Sequence, residues 1–137
     1  MTAFLDTNIA VYAQDLSAGL KQARAQEVIA TRTSELVVSS QVLAEFYRVI
    51  TGRLEPPLSP PLAREATAAL AALPVVAVDG ALVLAAIDTA VGAGIGIWDA
   101  MIVQAARRAG CDEILTEDLS HDQVIEGVRI RNPFNDR

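Results

Sequence analysis

The chain holds one cysteine, Cys111, one histidine, His121, and one lysine, Lys21. A lone cysteine excludes a disulfide within the chain and any zinc site built from cysteines. A lone histidine excludes acid–base chemistry by a histidine pair. Aromatic residues amount to 4% against 52% hydrophobic residues overall, so the core must come from Ala, Val, Leu and Ile. That composition suits helices packed on a buried parallel sheet. No Gly-x-Ser-x-Gly elbow and no Gly-x-x-x-x-Gly-Lys phosphate loop occurs, which removes the serine-hydrolase and P-loop chemistries. Gly92-Ala-Gly94-Ile-Gly96 follows a helical segment, whereas nucleotide-binding glycine loops follow a strand. No long hydrophobic run is present either. The apolar stretch from Ala66 to Trp98 is broken by Pro74, Asp79 and Asp88, short of the roughly 20 residues that a membrane span needs. Asp6 interrupts the apolar start, so no secretory signal is expected, and a reducing cytoplasm is the expected location.

The 137 residues are of a size for one domain with a sizeable core. The net charge of −6 excludes a generic nucleic-acid coat protein, which would present a basic surface. It leaves room for an enzyme that meets a polyanion locally through a metal ion. Apart from Lys21 the basic residues are arginines, which bind phosphate in a bidentate way.

Strand-like and helix-like segments alternate. Thr2–Leu5, Glu35–Ser39, Val75–Val78, Glu113–Thr116 and Val128–Arg131 read as strands. Helices are expected over Ile9–Gln14, over Ala18–Thr33 with Leu20, Ala23, Val28 and Ile29 inward, and from a Ser39 or Ser40 cap to about Arg53. Pro60 or Pro61 is suited to open another, running to Leu73. Asp79-Gly80 leads into one ending near Val91, and a last, almost wholly apolar helix from Ile97 stops at Gly110. Ser120–Glu126 reads as a turn or short helix. This alternation predicts an α/β fold with a mainly parallel central sheet.

Ligands of such sheets bind beyond the carboxyl ends of the strands. Asp6 follows the first strand there and Asp118 follows the fourth. Asp99 lies in the first turn of the apolar helix, and Glu45 falls at the edge of an apolar face formed by Val42, Phe46, Val49 and Ile50. Each has an ordinary structural reading: Asp6 and Asn8 as helix caps, Glu45 paired with Arg48, Asp99 complementing its helix dipole, Asp118 making a turn and Thr116 supporting it. His121 reads as a surface turn residue. Gathered together the acids would repel, since two carboxylates about 4 Å apart cost roughly 4 kcal/mol at an effective dielectric near 20. Protons, arginines or divalent cations must then lie among them, and oxygen-only ligands favour Mg²⁺ or Mn²⁺.

Phe4-Leu-Asp-Thr-Asn8, Glu45 within Leu-Ala-Glu-Phe, Trp98-Asp-Ala-Met-Ile-Val103, Leu115-Thr-Glu-Asp-Leu119 and the closing Asn132-Pro-Phe134 together resemble the PIN-domain proteins, specifically the VapC-type toxin ribonucleases. The resemblance runs from Phe4 to Phe134. It departs from the commonest pattern before Trp98, where Gly96-Ile97 replaces the more usual serine and aromatic residue. It implies a three-layer α/β/α sandwich and a metal-dependent endoribonuclease leaving a 5′-phosphate and a free 3′-hydroxyl. Asp6, Glu45, Asp99 and Asp118 match the acidic quartet that holds Mg²⁺ or Mn²⁺, and Asn8 and Thr116 match polar supporting positions. It further implies an RNA substrate such as tRNA or rRNA, a homodimer, and a cognate antitoxin whose peptide fills the acidic groove. Two alternatives stand beside it: a metal-dependent phosphatase with Asp6 as nucleophile, and a PIN-like module that binds RNA or protein without cutting.

Overall fold

The structure is a computed structural model that describes residues 1–135. Its first half comprises β1 (Ala3–Leu5), α1 (Thr7–Gln14), α2 (Leu20–Arg32), β2 (Leu36–Ser39), α3 (Ser40–Gly52) and α4 (Pro60–Leu70). The second half comprises β3 (Val75–Val76), α5 (Gly80–Ala93), α6 (Ile97–Arg108), β4 (Glu113–Leu115), β5 (Val124–Ile125) and β6 (Val128–Arg131). The sheet order is β3-β2-β1-β4-β6-β5, parallel throughout except for the β5–β6 pair.

From β1 the chain moves outward through β2 to β3, then returns past β1 to β4. Right-handed crossovers place α1–α4 on one face of the sheet and α5–α6 on the other, giving the three layers. Packing follows: α1 lies against α2 and α3, α3 against α4, and α5 against α6. β1, β2 and β4 are buried along their whole length, which is why they read as short continuous apolar runs rather than alternating ones. The strand order reverses between β1 and β4, and ligands settle in the crevice at such a reversal.

Local chemistry sets the helix ends. Ser39, Ser59 and Asp79 accept from the backbone N–H groups of Val42, Leu62 and Leu82, starting α3, α4 and α5. At the end of α6, Gly110 adopts φ +72°. Its N–H bonds Arg107 O, and Cys111 N–H bonds Ala106 O. This is the paired closure that turns the chain sharply into β4.

Four expectations need correction. Leu20 is 82% exposed and Ala23 is exposed, while Ala25 and Val28 form the buried stripe of α2. The helix begins only at Leu20, with Gly19 as its N-cap, so Leu20 lies in the exposed first turn instead of facing the sheet. The Ser120–Glu126 segment contributes strand β5, which folds back on β6 through Glu126-Gly127. Both turn residues have positive φ, 53° and 82°, the geometry of the tightest two-residue hairpin. Glu126 tolerates it because its carboxylate is anchored by Thr89, Gln104 and Arg107 of the α5–α6 layer. Third, α4 stops at Leu70, before Leu73. Fourth, β3 covers only Val75–Val76 and stops short of Val78; α5 ends at Ala93, near the expected Val91, and Gly94 takes the left-handed cap. Among the described residues no single helix is long and apolar enough to cross a membrane.

Candidate acidic site at the strand reversal

Asp6 is the first residue after β1, 6% exposed, at the crevice between β1 and β4. It caps α1, and its Oδ1 accepts from Thr7 N–H at 2.7 Å. The expected helix-cap role of Asp6 is thus present in the structure. Oδ2 accepts from the Thr116 hydroxyl at 2.8 Å. Thr116, fully buried at the end of β4, is the hub of this corner. Its Oγ accepts from Asn8 Nδ2 at 3.1 Å and from Asp118 N–H at 3.1 Å. The two supporting residues thus tie Asp6 to the loop that carries Asp118, which is itself exposed.

Glu45 sits on α3, half-buried at the edge of the face made by Val42, Phe46 and Ile50. Its Oε1 accepts from Thr7 Oγ1 at 3.4 Å and from Gln41 Nε2 at 3.2 Å. Arg48 forms no ion pair with it among the described residues. Gln41 Nε2 also reaches the backbone oxygen of Trp98, one residue before Asp99, at 3.4 Å. Asp99 is half-buried in the first turn of α6, whose N-cap, Gly96, offers no side-chain acceptor.

The electrostatics follow from this convergence. Burial raises the Asp6 carboxyl to about 7; the Thr116 and Thr7 hydrogen bonds oppose the rise, and the charges of Asp118 and Asp99 add to it. Asp99 is also raised, by burial first and then by Asp118 and Glu45. A carboxylate in the first turn of a helix is ordinarily favoured as an anion; in Asp99 burial, and after it the charges of Asp118 and Glu45, act in the opposite direction. By contrast Glu113, a buried acid at the start of β4, has Arg32 at 2.6 Å and Arg131 at 3.9 Å. Beside Asp6, Glu45, Asp99 and Asp118 no cation plays that part among the described residues.

A hard divalent cation fits this donor set by its chemistry: all donors are carboxylate, amide or hydroxyl oxygens, and the negative charge among them is uncompensated. Asn8 Oδ1 and Gln41 Oε1 are also buried without a hydrogen-bond donor. The set is open rather than caged: among the described residues no three acidic, histidine or cysteine side chains stand close enough to grip an ion as they are placed.

Thr7 and Gln41 were not singled out from the sequence. Thr7 adjoins Asp6, and Gln41 lies four residues before Glu45 on one helix face, the spacing at which helix side chains meet. That spacing is the signal that could have found Gln41. His121, expected as a surface turn residue, is half-buried, and its Nδ1 accepts from Asn132 N–H at 2.9 Å.

Comparison with known proteins agrees with this architecture. VapC20 of Mycobacterium tuberculosis, a sarcin–ricin loop cleaving toxin, superposes with a TM-score of 0.70 at 19% identity, over 85% of this chain and 90% of that one. The DNA-bound VapBC of Salmonella typhimurium gives 0.70 at 21% identity, over 97% and 98%. FitAB bound to a DNA fragment gives 0.71 at 16% identity, over 97% and 96%. No curated protein matches by sequence. Residues 3–126, which carry the strand reversal and all four acids, match the PIN domain, and the chain belongs to that family.

Proposed function

We propose that this chain, acting as a single PIN-like domain in the cytoplasm, is a metal-dependent endoribonuclease and the toxin of a toxin–antitoxin pair. The observation that carries the reading is Asp6: a carboxyl at the strand reversal, raised to about 7 by burial first and further by the charges of Asp118 and Asp99, with no cation paired to it among the described residues. Asp6, Glu45, Asp99 and Asp118 are the residues that would hold Mg²⁺ or Mn²⁺, with Asn8 and Thr116 in support. Bound there, the cation supplies positive charge and Lewis acidity against a phosphodiester.

The chain's own groups do the rest. Thr116 and Thr7 fix the orientation of Asp6 through both its oxygens. With its carboxyl raised to about 7 by burial, Asp6 can exchange a proton near neutral pH. Gln41 bridges Glu45 to the Trp98 backbone and so holds α3 beside the start of α6. The phosphatase reading weighs less because that chemistry usually wants a second aspartate two residues after the nucleophile, where this chain has Asn8. The non-cleaving module is the reading that remains if no RNA is cut.

The antitoxin proposal draws support from the neighbours, of which the VapBC and FitAB structures are DNA-bound complexes and another is a toxin–antitoxin complex from Klebsiella pneumoniae. A homodimer is proposed on family grounds alone. The test is incubation with a mixed tRNA and rRNA pool in Mg²⁺, Mn²⁺ or EDTA. Cleavage in either metal, lost in EDTA and in Asp6→Asn, is expected. Cleavage that persists in EDTA overturns the metal-dependent mechanism, and no cleavage under any condition overturns the nuclease.

A further inference from the structure

Positive charge is distributed unevenly over this acidic chain. Lys21, Arg24, Arg32, Arg107, Arg108, Arg129 and Arg131 all pair with carboxylates. Among the described residues only Arg48, Arg53 and Arg64 make no ion pair, and all three are exposed. They lie on α3, at its end, and on α4.

Two grooves line this same face. One, of about 780 Å³, starts at Glu45 and Gln41 and is walled by Trp98, Met101, Val83 and Arg48. The other, of about 630 Å³, runs between α3 and α4 past Tyr47, Arg64, Thr67 and Ala71. Ser40 and Ala44 border both, so the grooves are neighbours. Trp98 is 65% exposed although it adjoins Asp99, and Tyr47 is 37% exposed. Aromatic faces interleaved with unpaired arginines are the surface that single-stranded nucleic acid uses, since bases stack on rings and phosphates meet guanidinium groups.

We infer that the α3–α4 face leads a single-stranded RNA away from the acidic centre, with one nucleobase stacked on Trp98 and the following phosphates held by Arg48 and Arg64. The inference rests on the nuclease reading and names the path its substrate takes. It offers a route by which a chain of net charge −6 meets a polyanion: arginines without an ion pair begin one helical turn beyond Glu45, at Arg48.

Trp98 is the only tryptophan, so its fluorescence reports the contact directly. An eight-nucleotide oligouridylate is titrated in EDTA, where metal-dependent cutting is suppressed, over a salt series. Quenching of Trp98 is expected, together with an affinity that falls as salt rises. Arg48→Gln and Arg64→Gln should each reduce the slope of log K against log salt by about 0.7. Trp98→Ala, followed with a labelled oligonucleotide, should raise Kd about tenfold. Arg107→Gln, whose native arginine pairs with Glu126, should leave the slope unchanged.

Absence of quenching, or unchanged slopes in both arginine variants, overturns the path. So does a Trp98→Ala protein that keeps its RNA affinity but changes its sedimentation mass, because the face is then a contact between copies. Cleavage in Mg²⁺ with unaltered KM in all three variants overturns the path and leaves the nuclease standing. Quenching with intact salt behaviour but no cleavage in either metal supports the path and overturns the nuclease.

Discussion

The Thr116 hydroxyl donates to Asp6 Oδ2 at 2.8 Å while its oxygen accepts from both Asn8 and the backbone of Asp118. One buried side chain thereby connects β1, α1 and the loop after β4. Thr116→Val keeps the shape and removes all three bonds. The Asp6 carboxyl, which this hydroxyl holds down, should then rise above its present value of about 7. Stability should drop by about 1–3 kcal/mol. The drop should be larger at pH 8 than at pH 5, because only ionised Asp6 needs the donor. Urea midpoints at the two pH values check this, and an equal loss at both contradicts it.

Asp6 also fixes the sign of the pH dependence. Its folded-state pKa, about 7, lies above the ordinary 3.8. Between those values the folded state holds a proton that the unfolded state has released, so stability increases as pH falls from about 7 towards 4. The full span corresponds to on the order of 4 kcal/mol. Metal-free protein should follow that trend, and Asp6→Asn should flatten it. Thermal melts in EDTA from pH 4.5 to 8 measure both proteins, and a wild-type profile that rises with pH across this range contradicts the assignment.

How much of this could be read from the chain depended on the length of each signal. Buried strands such as Ala3–Leu5 and Leu36–Ser39 are continuous apolar runs ended by polar residues, and they were legible. β5 has two residues and its turn is Glu-Gly instead of Asn-Gly, so neither periodicity nor turn chemistry marks it. In α2 small residues alternate with long polar ones, and Ala23 and Ala25 are equivalent on composition; only the sheet decides which faces inward. The four acids were legible as types at telling places. Their coupling was not, because it depends on which acids find an arginine in the fold, as Glu113 at the start of β4 finds Arg32 and Arg131, and sequence spacing does not show such partners.

That contrast gives a prediction. Arg32→Met leaves Glu113 buried with Arg131 alone at 3.9 Å. Breaking a buried pair costs about 3–5 kcal/mol, and partial exposure of Arg32 reduces this to about 2 kcal/mol. RNA cleavage per folded molecule should be unchanged. Denaturation midpoints and a cleavage assay on the same preparation test this, and a variant that folds but does not cut would place Glu113 in the site.

The last prediction separates an acid that belongs to the cluster from one that serves its own helix. Asp99 stands in the first turn of α6, where a carboxylate is worth about 0.3–1 kcal/mol to the helix. It is also raised by burial, Asp118 and Glu45, in that order. Asp99→Asn removes the charge at nearly constant shape. If the cluster dominates, metal-free protein should gain about 1 kcal/mol, allowing for solvent screening at a half-buried group. Mg²⁺ should then stabilise the wild type by RT ln(1 + [Mg²⁺]/Kd) and the variant much less. If the dipole dominates, the variant loses stability with or without metal. The outcomes differ in sign, so a melting series of both proteins in EDTA and in Mg²⁺ decides, without any substrate.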